Sequence, residues 1–289
     1  MTRFFRLPAF LPVGAVAVGA AFAPAPAPAA DRITTEQLMS RLSTAIENLK
    51  SLRCNVRAQE RLSNGKYQPA RTAMKMTFNP HRVYLKNIKG LEVLWVEGQN
   101  DGDAWVYPNS FPYVTLSLDP NGSIMRKNQH HSALDAGFGT ISDLIHGSSQ
   151  RRDHSFEHSF RYTGDTLIAG RACHVLLSIF PQFKYVTYKA VAGDTPARIA
   201  DKFGCGEYRV MERNGLDPGE AIAVGQTLQV PNGYGRRTLV CIDQKLMLPT
   251  VVEVYDDKGL FEKFEFTDIV ANQPIPVAEF NKDFPEYKL

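Results

Sequence analysis

The chain has 289 residues, of which 44% are hydrophobic and 22% charged, so it is long enough to bury a substantial core as one large or two small domains. Its 33 Lys and Arg residues nearly balance its 30 Asp and Glu residues. That balance argues against charge-driven nucleic-acid binding, and no nucleic-acid partner is predicted.

The first 30 residues have the layout of a secretory signal peptide. Arg3 and Arg6 precede an apolar run from Leu11 to Phe22, and an A-x-A motif ends at Ala29. A membrane anchor is the alternative, but the run is short for a spanning helix. We therefore expect export to the periplasm or cell envelope, with cleavage next to Ala30. Losing two arginines would lower the net charge from +3 to +1, and no membrane span would remain.

The mature chain is predicted to open with a helix, because Thr34 and Gln37 have the spacing of a capping box and apolar residues then repeat at helical intervals. Alternating strand patterns with turn residues between them follow over residues 53–107, 159–180, 236–257 and 260–270. Residues 132–147 predict a second helical region whose two internal glycines argue against one unbroken helix. The predicted fold class is α+β, a mainly antiparallel sheet with helices on one face.

The stretch 185–231 interrupts the strands with a βααβ pattern. Thr195 is a good N-cap, Pro196 suits a first helical position, and Gly204 can end that helix. A second short helix ends at Asn214 and Gly215, and the sequence GQTLQVP then predicts a turn and a final strand.

This interruption resembles a LysM domain. The matching blocks are GDT at 193–195, IA at 199–200, Asn214 and GQTLQVP at 225–231, in the order and at the spacing of that family. The resemblance implies binding of glycans that contain N-acetylglucosamine, which for an exported bacterial protein means peptidoglycan. An N-acetyl group offers one donor, one acceptor and a methyl, which a shallow groove between two loops can meet. The glycan-binding residues so predicted are Gly193, Asp194, Thr195, Pro196, Gly215, Leu216, Asp217, Pro218 and Ile222. For Asp194 a role in capping its own turn is an equal alternative.

The remaining sequence resembles an exported bacterial domain of unknown function that is similar to the LolA/LolB lipoprotein-carrier superfamily. The resemblance rests on residues 79–108, the sequence LSLDPNG at 116–122 and the helical ISDLI at 141–145. It implies a curved, unclosed antiparallel barrel around helices, with an apolar hollow in which relatives carry acyl chains or lipid-linked cargo. Candidates for the lining of the hollow, with ordinary core packing as the favoured alternative, are Trp95, Val93, Leu91, Tyr84 and Phe78.

The predicted domains are therefore a signal peptide at 1–30, a discontinuous LolA-like domain at 31–184 and 232–289, and an inserted LysM domain at 185–231. If the strands on either side of the insertion pair antiparallel, the LysM domain lies at the tip of their hairpin, where insertions are best tolerated.

Catalytic and metal-binding readings find little support in the sequence. Cys205 has no nearby His, no H-E-x-x-H motif is present, and the histidine pairs at 130–131 and 154/158 are typical of solvated loops. The acidic stretch 97–103 favours a turn over a cation site. We predict no catalytic residue, no metal and no cofactor.

The four cysteines, Cys54, Cys173, Cys205 and Cys241, lack C-x-x-C spacing. Three full disulfide pairings and four free buried thiols remain open at this stage.

The sequence predicts an exported, non-enzymatic protein that docks on peptidoglycan and carries a scaffold or apolar-ligand domain. The alternatives are a periplasmic carrier of lipid or lipoprotein and a cell-wall-remodelling enzyme.

Overall fold

The computed structural model describes residues 33–111, 113–146 and 160–289, and side chains are described for these except 144–146. The signal peptide predicted at 1–30 and the pair His154 and His158 lie outside the described residues. Residues 33–289 form one compact unit. Within the described ranges, no helix is long and apolar enough to cross a lipid bilayer.

The strands account for most of the described chain. In chain order they are β1 (Ser51–Arg61), β2 (Tyr67–Phe78), β3 (His81–Asn87), β4 (Glu92–Val96), β5 (Ala104–Tyr107), β6 (Leu116–Leu118), β7 (Phe160–Ile168), β8 (Arg171–Ile179), β9 (Tyr185–Lys189), β10 (Thr227–Pro231), β11 (Arg237–Asp243), β12 (Pro249–Asp256) and β13 (Gly259–Ala271).

Eleven of these strands form one antiparallel sheet, in the order β6-β5-β4-β3-β2-β1-β13-β12-β11-β8-β7, and β9 pairs with β10 in a separate ribbon. The large sheet curves without closing, because β6 and β7 remain its two edges. This confirms the predicted α+β class with a curved, unclosed antiparallel sheet.

Five α-helices are described: α1 (Thr35–Glu47), α2 (Ser123–Arg126), α3 (Gly139–His146), α4 (Pro196–Phe203) and α5 (Glu207–Asn214). The capping box predicted for α1 is confirmed, since Thr34 Oγ1 accepts from the Gln37 amide at 3.2 Å and Gln37 Oε1 accepts from the Thr34 amide at 3.0 Å. The second helical region is broken, as its glycines predicted. Gly137 adopts φ +101°, and a Cβ there would lie 3.0 Å from the Met76 sulfur.

The two faces of the sheet pack against different parts of the chain. One core cluster joins Leu38 of α1, Phe138 just before α3 and Tyr208 of α5 to inward side chains such as Phe261. On the other face, the C-terminal residues 275–289 cover β3 and β4, where Tyr84 stacks on Tyr287 at 4.0 Å between ring centroids. Three helices therefore cover one face, and one of them comes from the stretch resembling LysM.

Candidate functional site

The βααβ stretch forms the elements that its sequence predicts. Thr195 Oγ1 accepts from the Arg198 amide at 3.2 Å, Pro196 is the first residue of α4, and Gly204 ends that helix in the left-handed region at φ +57°. Its own small core consists of Ala190, Ile199, Ala200, Cys205, Val210, Leu228 and Val230.

The two loops predicted to bind glycan leave the same end of the β9–β10 ribbon. The Ala190 amide donates to the Gln226 carbonyl at 2.9 Å, and the Gly225 amide donates to the Ala190 carbonyl at 2.8 Å. The first loop starts directly after Ala190, and the second ends at Gln226. The pairing therefore places the origin of one loop beside the end of the other.

Asp194 is tied into its own turn. Its Oδ2 accepts from the Tyr188 hydroxyl at 2.7 Å and the Val191 amide at 2.9 Å, while Oδ1 pairs with the Lys202 ammonium at 2.5 Å. The hydrogen bond from Lys202, together with that from the Val191 amide, lowers the pKa of Asp194 to about 2. Both carboxylate oxygens are thus engaged within the chain, which is the turn-capping role that the sequence left open.

The other residues of the predicted glycan set divide by exposure. Leu216 and Ile222 turn toward the small core, and Pro196 is buried. Those exposed to solvent are Gly193, Thr195, Gly215 and Asp217, and Pro218 is half-buried. The surface offered by the two loops is therefore mostly backbone and small polar groups.

Helix α5 fastens this stretch to the sheet. Arg209 is 0% exposed, and its guanidinium carbon lies 3.6 Å from the Phe261 ring centroid. Its Nη1 is 3.6 Å from Asp256 Oδ2, and Asp256 also holds Arg61, whose Nη1 donates to Oδ1 at 2.9 Å. The sequence predicted a domain at a hairpin tip. β8 and β11 do pair antiparallel, yet α5 also packs onto the sheet beside α1 and α3.

A cavity of about 170 Å³ opens between the sheet and the segment 131–141. Its wall is mainly apolar, with Val56, Met74, Leu85, Ile141, Val252, Phe264 and Phe266 as the larger apolar residues. None of the five lining candidates chosen from the sequence belongs to this wall. Tyr84 lies on the opposite face, and Val93, Leu91 and Trp95 pack in a cluster with Val106. The structure therefore supports ordinary core packing for these four residues. Phe78 also packs against the main core.

A polar cluster closes one end of this cavity. His130 Nδ1 and His131 Nε2 lie 2.9 Å and 3.1 Å from the same oxygen of Glu262, and the Tyr234 hydroxyl donates to the other oxygen at 2.7 Å. Glu60 completes the cluster. The expectation of solvated loop histidines is wrong for His130, which is 4% exposed and lies 4.1 Å from the Phe261 ring between centroids.

Charge and burial oppose each other in this cluster. Burial alone would lower the pKa of His131, but the charge and hydrogen bond of Glu262 raise it to about 9. Burial alone would raise the pKa of Glu262, but His131 and His130 hold it well below its usual value. Burial dominates for Glu60, whose pKa is raised. The cluster therefore buries an ion pair between His131 and Glu262, with the carboxyl group of Glu60 as a second acid beside it.

All four cysteines are free and buried. Of the disulfides and free thiols that the sequence left open, the structure therefore has free thiols. Burial raises the pKa of Cys54 to about 12 and that of Cys241 to about 11. Cys205 packs in the small core of the βααβ stretch. These thiols contribute to packing.

Fold and site together consist of a curved antiparallel sheet with an apolar hollow and a βααβ unit between β8 and β11. Residues 49–191 match DUF1571, a protein family of unknown function, and residues 188–231 match the LysM domain. The chain thus contains a DUF1571 domain and a LysM domain.

Comparison with solved structures gives distant likenesses. The MucA/MucB complex of Pseudomonas aeruginosa has 14% identity over 86% of this chain and 60% of that chain, with a TM-score of 0.39. Lipoprotein LppX of Mycobacterium tuberculosis has 14% identity over 84% of this chain and 98% of that chain, with a TM-score of 0.40. A LolA superfamily protein of Nitrosomonas europaea has 12% identity over 88% of this chain and 100% of that chain, with a TM-score of 0.33. This chain spans about three fifths of the MucB chains it resembles, 59% to 62%. No curated protein matches it.

Proposed function

We propose that this chain is an exported protein of the bacterial cell envelope whose LysM domain binds peptidoglycan through N-acetylglucosamine. The supporting observation is the LysM match at 188–231, together with two loops at one end of the β9–β10 ribbon, where the first begins and the second ends. Backbone amides and carbonyls of Gly193 and Gly215 and the neighbouring side chains Thr195 and Asp217 would meet the acetamido group. Asp194 would shape the first loop rather than touch the sugar.

Because α5 packs on the sheet, glycan binding by the LysM domain would also orient the sheet domain. Arg209 and Asp256 fix α5 against the sheet, so the LysM domain would hold the DUF1571 domain at a set orientation to the wall. A single LysM domain should bind weakly, because avidity needs repeated or tethered sites. We propose the boundaries 31–184 and 232–289 for the sheet domain and 185–231 for the insertion, which the antiparallel pairing of β8 with β11 supports.

A short apolar ligand in the hollow is a second candidate function. The cavity of about 170 Å³ is close to the ~150 Å³ that holds one benzene in an engineered protein core. It therefore suits a short acyl segment or a small ring. Carrying a whole lipid would require the segment 131–141 to move outward.

The glycan proposal is tested on the full chain by titration with a soluble N-acetylglucosamine oligomer, monitored by amide chemical shifts. We expect shifts at 193–195 and at 215–222 apart from Pro218, since proline has no amide proton. Asp217→Lys places a long side chain at the exposed second loop and should weaken binding about tenfold, near 1.4 kcal/mol. The matched control is Asp257→Lys, the same change in the exposed β12–β13 turn. Absence of binding, or equal loss in both variants, contradicts the proposal.

The apolar-ligand proposal is tested by calorimetry with octanoate. Ala136→Trp fills the cavity from its wall and should abolish binding. Val277→Trp adds the same ring at a position that is 67% exposed and should leave binding intact. If octanoate fails to bind the wild type, or Ala136→Trp binds it as well, the hollow is a scaffold only.

A further inference from the structure

Two acidic side chains face each other inside the sheet. Glu60 of β1 and Glu262 of β13 are directly opposite in the antiparallel register, and they are 7% and 2% exposed. Like charges at directly opposed positions destabilise a sheet, and burial increases that cost. This pair therefore needs a positive charge beside it.

Two histidines bring their ring nitrogens to that position. His130 Nδ1 and His131 Nε2 converge on Oε2 of Glu262 at 2.9 Å and 3.1 Å. One ligand atom each from Glu60, His130 and Glu262 also lie within 4.8 Å of one another. One imidazole and two carboxylates thus surround one point, and His131 borders it through Oε2 of Glu262.

The surrounding contacts orient these groups as they are oriented around a bound metal. His130 Nε2 lies 2.9 Å from the Arg61 carbonyl, which only accepts, so Nε2 carries the proton and Nδ1 is the nitrogen directed to the cluster. The Tyr234 hydroxyl donates a hydrogen bond to Oε1 of Glu262, so Oε2 is the oxygen directed at the middle of the cluster. Such outer hydrogen bonds, to a carbonyl behind the histidine and to the second carboxylate oxygen, are the usual support of metal ligands.

The site is also reachable. His131, Tyr234 and Glu262 form part of the wall of the hollow, and the His131 side chain is 24% exposed. An ion could therefore reach the centre through the hollow without unfolding the sheet.

We propose that this cluster binds a divalent transition metal ion, with Zn²⁺ as the best match, through Glu60, His130 and Glu262, with His131 beside the site. Imidazole and carboxylate ligands suit Zn²⁺, and two carboxylates balance its charge. Tetrahedral ligands at the usual zinc distances are about 3.3 Å apart, so the His130–Glu262 separation of 2.9 Å needs only a small expansion, and the ligand atom of Glu60 lies within 4.8 Å of both. The site goes beyond the proposed glycan and apolar-ligand functions, and it departs from the sequence prediction of no metal.

The competing state is a cluster held by protons alone, in which His131 carries the positive charge. Zinc binding distinguishes the two. The full chain, purified without a histidine tag, is titrated with Zn²⁺ in competition with a chromophoric chelator, and bound metal is counted by mass spectrometry. We expect one Zn²⁺ per chain and a rise in Tm on adding it. Absence of stoichiometric zinc, or an unchanged Tm, means a proton-only cluster and overturns the proposal.

Variants locate the bound ion. His131→Asn removes a partner of the ligand oxygen Oε2 of Glu262 and should weaken zinc binding by about 10–100-fold. The matched control is His174→Asn, since His174 also pairs with a carboxylate, at 2.7 Å from Asp165, outside this cluster. Glu60→Gln keeps the shape of the side chain and should weaken binding similarly if His131→Asn fails to fold. Equal loss in His174→Asn, or wild-type affinity in folded His131→Asn and Glu60→Gln, overturns the assignment.

Discussion

The loop end of the LysM domain and the polar end of the hollow are built from similar groups at very different sequence distances. The three partners of Asp194 in its turn are 3, 6 and 8 residues away. The partners of Glu262 are His130, His131 and Tyr234, at separations of 132, 131 and 28 residues. A local turn can preform its polar contacts, whereas the cluster in the hollow exists only when the whole sheet is assembled.

The same contrast runs through the LysM domain itself. Its α4 side carries an ion pair in which Lys202 is exposed and Asp194 is buried, while its α5 side is fixed to the sheet by Arg209 and Asp256 out of contact with water. Surface pairs contribute little to stability, whereas removing one partner of a buried pair leaves an uncompensated charge. We therefore expect the two sides to respond differently to substitution.

The largest effect is expected at the buried side. Asp256→Asn leaves Arg61 and Arg209 without their shared carboxylate and should lower the free energy of unfolding by about 3–5 kcal/mol. Urea unfolding measures it. Asp283→Asn, in a pair where both side chains are exposed, is the control and should cost at most about 1 kcal/mol. Similar costs for the two variants would show that α5 is not fixed by this charge cluster.

A second substitution asks whether the LysM domain and the sheet unfold together. Ile199→Ala empties a fully buried position in the small LysM core and should cost about 2–5 kcal/mol. Both tryptophans, Trp95 and Trp105, lie in the sheet, so their fluorescence reports on the sheet alone. Because α5 docks on the sheet, the fluorescence transition should move by the same amount as the circular dichroism transition. An unmoved fluorescence transition would mean that the LysM domain unfolds separately.

Acid should weaken the loop turn through Asp194. Its pKa is lowered to about 2, against an ordinary value of about 4. The stabilisation is therefore fully present above the unfolded-state value and is lost as the pH falls through about 2. Asp194→Asn should be less stable than the wild type near neutral pH, and the gap should narrow as the pH falls toward 2. A gap that stays constant with pH would show that the ion pair and turn bonds contribute nothing through ionisation.

The smallest effect is expected for Lys202→Met. The Lys202 side chain is 44% exposed, and Asp194 keeps its bonds from Tyr188 and the Val191 amide, so the free energy of unfolding should fall by less than about 1 kcal/mol. The check is urea unfolding beside Asp256→Asn. A cost approaching that of Asp256→Asn would remove the distinction between the exposed and buried sides.

Sequence reasoning succeeded where the signal is local. The capping box at Thr34, the N-cap at Thr195 and the left-handed stop at Gly204 each depend on contacts within four or five residues. Period-2 alternation likewise located the strands. It did not say which face of β3 and β4 looks inward, so Tyr84 was assigned to the hollow although the C-terminal residues cover it on the other face.

By itself, then, the sequence determined the elements, the α+β class and the LysM unit, because caps, turns and periodicity are properties of neighbouring residues. Only the tertiary structure decided that His130 is buried, that the four thiols are free, and that Arg209 of α5 docks on the sheet. Those features depend on pairings such as Glu60 with Glu262, about two hundred residues apart. A charged residue on a short helix normally predicts a solvated face, and only a partner brought from a distant strand makes its burial possible.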